Sequence, residues 1–174
     1  VLPLIEGDDA VWVQDYHMIP LGEELRRRGC RNRLGFFLHI PWPPPRLLAT
    51  LPEARELVRS MFAYDIIGFQ TDEWLQSFCG YVQEELGIEV DGNVIRVEGA
   101  ETRLLSCPSG IDAAEFEALV DSPPAVETAA RMRESADGRV MIVGVDRLDY
   151  SKGVEERFRG YQRFLTENPE ERKE

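Results

Sequence analysis

Lys152 follows Arg147 by five residues, at the end of the run VMIVGVDRLDYSKG spanning residues 140–153. The apolar residues stop at Asp146, a short polar loop follows, and helical spacing resumes after Gly153. A strand, a loop and a helix start form an arrangement that receives anions, because backbone N–H groups point outward there. Arg adds a planar bidentate fork and Lys a mobile point charge. The plainer reading of both is solvated loop charge, the commonest fate of these residues. The setting argues for more. The chain carries 20 basic and 32 acidic residues, a net charge of −12, so paired cations at one strand end need a reason. A phosphate-bearing ligand supplies it.

Two further candidates sit where an open parallel sheet binds ligands, at the carboxyl ends of its strands. Asp15 follows the apolar run AVWVQ (residues 10–14), and His39 ends RLGFFLH (residues 33–39). Asp also serves as a turn or cap residue; at a cleft it accepts hydrogen bonds from sugar hydroxyls. His39 taken alone reads as a ring satisfied by a neighbouring carbonyl. The proline run of Pro41-Trp42-Pro43-Pro44-Pro45 directly after it stiffens the backbone and holds the ring where it points. His17 reads equally well as packing. Arg26-Arg27-Arg28 ends a helix, where cations suit the dipole, and reads as a solvated face. Trp42 and Trp74 read as packing. No GxGxxG, Walker or metal-ligand pattern occurs, and Ser106-Cys107-Pro108-Ser109-Gly110 lacks the spacing of a nucleophile elbow.

The elements that must position these residues follow from periodicity. Strands are predicted over 10–14, 33–39 and 65–70, with weaker ones over 93–97 and 103–107. Helices are predicted over 20–29, on both sides of Leu51-Pro52, and from a Thr71 cap to about Gly87. This alternation predicts an α/β fold, a parallel sheet covered on both faces with right-handed crossovers. Beyond Cys107 the texture changes, and residues 108–124 show no strong period. A helix over 125–136 then leads to a strand at Val140, with Tyr150 and Ser151 read as shaping the turn after it and Ser151 also as a candidate cap for the helix that follows. The boundary between two α/β units lies between Gly110 and Pro124, dividing the chain into 1–115 and 116–174.

Composition narrows the partners. The acidic balance argues against nucleic acid and anionic membranes. No stretch approaches the roughly eighteen apolar residues of a membrane-spanning helix, and residues 1–9 do not read as a signal peptide. Cys30, Cys79 and Cys107 match no zinc or disulfide spacing, which suggests reduced thiols in the cytoplasm.

The segments VWVQDYHMIPLGEELRRRG, RLGFFLHIPWPPP, YDIIGFQT, PSGID and VDRLDYSKGVEERF together resemble glycosyltransferase family 20, the trehalose-6-phosphate synthases. The likeness runs in order from about Asp8 to Pro169, and the last motif is highly specific. Gln14 and Trp42 stand where members often carry other residues. The resemblance implies a GT-B architecture of two Rossmann-like domains. Residues 1–115 would be the later part of the acceptor-side domain, and 116–174 the linker and first β-α unit of the nucleotide-sugar domain. It implies retaining transfer of glucose from UDP-glucose to glucose 6-phosphate, with no metal and no cofactor. By motif, Asp15 holds the acceptor sugar, His39 the donor glucose, and Arg147 and Lys152 the donor diphosphate; His39, Arg147 and Lys152 form the catalytic set. A homo-oligomer is compatible with this. Alternatives are a glucosylglycerol-phosphate synthase using another acceptor, or a non-catalytic regulatory domain. The family's glycine-rich loop would precede Val1 and its nucleotide-base contacts would follow Glu174. These 174 residues by themselves are therefore expected to lack useful activity.

Overall fold

The computed structural model describes residues 1–172, in two compact units, Val1–Gly110 and Ile111–Glu174. In the first unit, β1 (Ala10–Gln14), β2 (Arg33–Leu38), β3 (Ile66–Phe69) and β6 (Ala100–Ser106) lie side by side in parallel. The short β4 (Val90–Asp91) and β5 (Val94–Val97) form a hairpin that extends the sheet antiparallel, giving the order β1-β2-β3-β6-β5-β4. The helices between the strands are α1 (Leu21–Arg27), α2 (Pro45–Leu48), α3 (Ala54–Ser60) and α4 (Asp72–Glu84). Thr71 caps α4 as expected, its hydroxyl accepting from the Trp74 N–H at 3.2 Å.

Among the described residues the sheet is covered on one face, a correction to the expectation of two. Val13, Leu34, Phe36, Leu38, Ile67, Phe69 and Leu104 point to one side and join a single core with Leu25, Val58, Leu75, Phe78 and Val82 of the helices. On the other side Trp12, Ile66 and Leu105 remain exposed. Topology explains this. The parallel strands advance in one direction without reversing, so each right-handed crossover returns over the same face. Covering the second face requires a reversal of order, which the described residues do not contain. Trp12 and Phe37 stack on this open face, ring centroids 6.3 Å apart. They lie so flat that a Cβ at Gly35 or Gly68 would meet them at 2.6 Å.

Arg26 departs from the solvated face expected of the arginine triple. Its guanidinium donates to the carbonyls of Ala63, Cys30 and Asn32 and to the Asp65 carboxylate at 2.9 Å. Asp65 in turn accepts from the Leu34 N–H at 2.7 Å, so one ion pair closes the entrances to β2 and β3. Only Arg27 and Arg28 behave as surface charge, both paired with Glu24.

Tyr64 is buried, and desolvation pushes its phenol up to about 12, opposed by a hydrogen bond from the Gly22 N–H. The unfolded phenol ionises near 10, so the folded state holds the proton longer, and stability present below pH 10 is lost as pH rises towards 12. We expect the stability of the wild type relative to Tyr64→Phe to fall across that window by up to about 3 kcal/mol. Urea unfolding at pH 9 and pH 12 checks it; a difference that stays constant would refute it.

The second unit contains α5 (Ala113–Val120), α6 (Pro123–Ala136) and α7 (Val154–Glu167). Helix α5 lies in a segment read as aperiodic. Its signal was Asp112 followed three residues later by Glu115: the Asp112 carboxylate accepts from the Glu115 N–H at 3.1 Å. The strand expected at Val140 does not form. Val140, Ile142, Val143 and Val145 are exposed, in chain with no strand pairing. A strand exists only through hydrogen bonds to a neighbour, and residues 111–172 offer none.

Candidate active-site elements

At the carboxyl edge of the first unit, β1 hands over to Asp15, whose N–H continues the ladder by donating to the Phe37 carbonyl at 2.9 Å. Asp15 then turns sharply, at φ 69° and ψ 163°. That region is almost reserved for glycine, and occupying it costs about 1–3 kcal/mol. The turn is closed locally: the Asp15 carboxylate accepts from the Tyr16 N–H at 3.0 Å, and its carbonyl from the Met18 N–H at 3.1 Å. Asp15 thus acts as a turn cap, its plainer reading, while its second carboxylate oxygen has no partner among the described residues. Tyr16 and His17 stack at 3.9 Å on the exposed side of the turn.

His39 stands at the end of the neighbouring strand, exposed, with Nε2 3.1 Å from the Gln14 Oε1. An amide oxygen only accepts, so the contact is a hydrogen bond when Nε2 carries a proton. The ring meets Phe37 edge-on at 4.8 Å. Asp15 and His39 are therefore brought to one sheet edge through Gln14 and Phe37. Gln70, at the end of β3, was not singled out in the sequence. Its Oε1 accepts from the Ser109 N–H at 2.8 Å and ties the loop after β6 to the same edge. Its position immediately after an apolar strand was the available signal.

The proline run after His39 is anchored by Trp42, buried against Phe69 and Phe78. Its indole N–H is the one buried side-chain polar atom without a partner among the described residues. Leaving such a donor unpaired costs about 1–3 kcal/mol, which offsets part of what the larger ring contributes by packing. Trp42→Phe is accordingly expected to lie within about 1 kcal/mol of the wild type in chemical denaturation, unlike the 3–5 kcal/mol typical of deleting a buried aromatic ring. A loss above about 2 kcal/mol would show that the N–H is satisfied.

In the second unit, Arg147 and Lys152 occupy one loop. Asp149 organises it: its carboxylate accepts from the Ser151 N–H at 2.9 Å and the Ser151 hydroxyl at 2.8 Å. Those two bonds, together with the fields of Arg147 and Lys152, hold the Asp149 carboxyl below its ordinary range. Ser151 therefore serves Asp149 and does not cap α7. The cap position is Gly153 in the left-handed region, φ 58°, a conformation glycine adopts freely. Arg147 and Lys152 are exposed and form no ion pair among the described residues. Asp146, beside Arg147, is paired with Arg157 of α7, a residue the sequence did not single out. No group of three or more His, Cys, Asp or Glu side chains gathers as a metal site among the described residues.

The family model of Glycosyltransferase family 20 matches residues 1–174. A trehalose-6-phosphate synthase of Sinorhizobium fredii is 42% identical over 171 residues, which are 98% of this chain and 37% of that protein. An alpha,alpha-trehalose-phosphate synthase (UDP-forming) from Burkholderia xenovorans, solved in complex with glucose-6-phosphate, superposes with a TM-score of 0.73 at 37% identity, covering 98% of this chain and 39% of that one. An E. coli structure bound with UDP-2-fluoro glucose gives a TM-score of 0.72 at 34% identity, covering 97% and 38%. The chain thus spans little more than a third of the length of these relatives. By sequence along its whole length and by fold, it belongs to glycosyltransferase family 20, an α/β chain of the GT-B type.

Proposed function

We propose that a full-length protein carrying this chain is a retaining glucosyltransferase that moves glucose from UDP-glucose to glucose 6-phosphate, forming α,α-trehalose 6-phosphate. The observation that carries this reading is the loop of Arg147 and Lys152, two cations with no ion-pair partner among the described residues, on a turn held by Asp149. A leaving nucleoside diphosphate gains negative charge as its bond to the sugar breaks. Fixed cations beside it stabilise the transition state more than the ground state. Asp15 receives hydroxyls of the acceptor sugar and His39 hydrogen-bonds the donor glucose.

The proposed step is a front-face displacement. The donor C1–O bond breaks and the diphosphate leaves with the electron pair. The acceptor hydroxyl oxygen then bonds to C1 from the same side and passes its proton to the departing phosphate oxygen. Retention needs no covalent nucleophile in this scheme. We place the acceptor-side domain in residues 1–115 and the start of the nucleotide-sugar domain in 116–174. The reaction requires neither a metal nor a cofactor, and takes place in the cytoplasm without nucleic acid or membrane partners.

The experiment is a coupled assay of the full-length protein with UDP-glucose and glucose 6-phosphate, before and after exhaustive dialysis against EDTA, with product identified by NMR. Trehalose 6-phosphate formed at an unchanged rate is the expected result. Transfer to glycerol 3-phosphate in preference to glucose 6-phosphate, or no binding of UDP-glucose in calorimetry, would overturn it.

A further inference from the structure

Three backbone groups downstream of Asp15 converge on one buried hydroxyl. The Tyr64 hydroxyl accepts from the Gly22 N–H at 2.9 Å, and lies 2.9 Å from the Met18 carbonyl and 3.2 Å from the Ile19 carbonyl. A phenol has one proton to donate and lone pairs to accept with. It therefore serves the two carbonyls with that proton while receiving the amide. Tyr64 is 1% exposed and cannot exchange these partners for water. Its own position is set from both sides: its carbonyl accepts from the Thr102 hydroxyl at 2.8 Å, and its ring packs on Phe36 at 5.1 Å.

These contacts bear on Asp15 because the intervening turn is short and closed. The Met18 N–H returns to the Asp15 carbonyl, and the Ile19 N–H to the Tyr16 carbonyl at 3.3 Å. Asp15 sits in a backbone region that local preference does not hold, so its surroundings must impose it. Upstream the Phe37 carbonyl does so. Downstream the anchor is Tyr64. Gly22 belongs to the same device, since a Cβ there would stand 2.6 Å from the Tyr64 ring carbon that bears the hydroxyl.

The geometry points to Tyr64 as a positioning residue for acceptor binding. By clamping the turn between Met18 and Gly22 it aims the Asp15 carboxylate at the acceptor sugar. This rests on the proposed reading of Asp15 as the acceptor-sugar residue. A residue that merely stabilised the unit would weaken both substrates alike.

The test compares Tyr64→Phe with the wild type in the full-length protein, reading the KM of glucose 6-phosphate, the KM of UDP-glucose and the Tm. The expected result is an acceptor KM raised about fivefold to tenfold, as loss of one buried hydrogen bond implies, with the donor KM within about twofold. Gly22→Ala, which displaces the ring but keeps the hydroxyl, is expected to give the same selective rise, and the double variant little more than either alone. Equal changes in both KM values, or a lowered Tm with an unchanged acceptor KM, would overturn the inference. Asp15→Asn separates the two levels. If it leaves the acceptor KM unchanged, the reading of Asp15 itself fails. If it raises that KM while Tyr64→Phe does not, the clamp alone fails.

Discussion

Lys152→Ala in a full-length protein carrying this chain is expected to lower kcat by about a hundred- to a thousandfold, the 2.7–4 kcal/mol associated with losing one preorganised donor at a developing charge. Arg147→Ala is expected to fall in the same range. The reason is differential. In the bound donor the diphosphate shares its charge with the sugar ester; in the transition state that bond is breaking and the charge concentrates on the leaving oxygens. A cation held by the Asp149 turn meets that charge without rearranging. The effect should therefore appear mainly in kcat, with a smaller change in the KM of UDP-glucose. Arg147→Lys should recover only part of the rate, because an ammonium cannot reproduce a bidentate fork. Steady-state kinetics of the variants decide the matter; a fall in kcat of less than about tenfold for both alanine variants would remove the loop from the proposed mechanism.

The second large effect is on stability. Phe78→Ala is expected to destabilise the first unit by about 3–5 kcal/mol, as in other deletions of buried aromatic rings. Phe78 is fully buried on α4 and joins two further rings, Trp42 at 5.0 Å and Phe69 at 5.2 Å. They come from three places: the helix, β3, and the proline run after His39. A cavity there removes contacts from all three and loosens the segment that holds His39. Against a typical stability of about 5–15 kcal/mol, the loss is a large share. Equilibrium urea unfolding measures it. A loss below about 1 kcal/mol would mean that the three rings are not a common support.

Much of the first unit was legible in the sequence because its signals are local. β1 matches the expected strand residue for residue. β2 and β3 end within a residue of expectation, and α4 starts at the expected Thr71 cap. Alternation along a strand and capping chemistry at a helix start involve residues a few positions apart. The candidate site was legible to the same depth. Asp15 and His39 do fall on adjacent strand ends, and Arg147 and Lys152 on one loop. The partners of these residues were not legible. Ser151 does shape the local turn, but its partner Asp149 was not singled out, whereas Gln70 with Ser109 and Tyr64 with Gly22 meet across 39 and 42 positions of chain.

The sequence by itself determined the element types of the first unit, the residues at its strand ends and the family, because each rests on residue identity and short spacing. Tertiary structure decided the rest. Among the described residues, an unreversed strand order left one sheet face open, and an apolar run at Val140 has no neighbouring strand to pair with. An arginine read as surface charge became the tie between two strand entrances. The strained turn at Asp15 is held by a tyrosine far along the chain. Each of these depends on which distant group the folded chain brings within hydrogen-bonding or packing distance, and no local pattern encodes that.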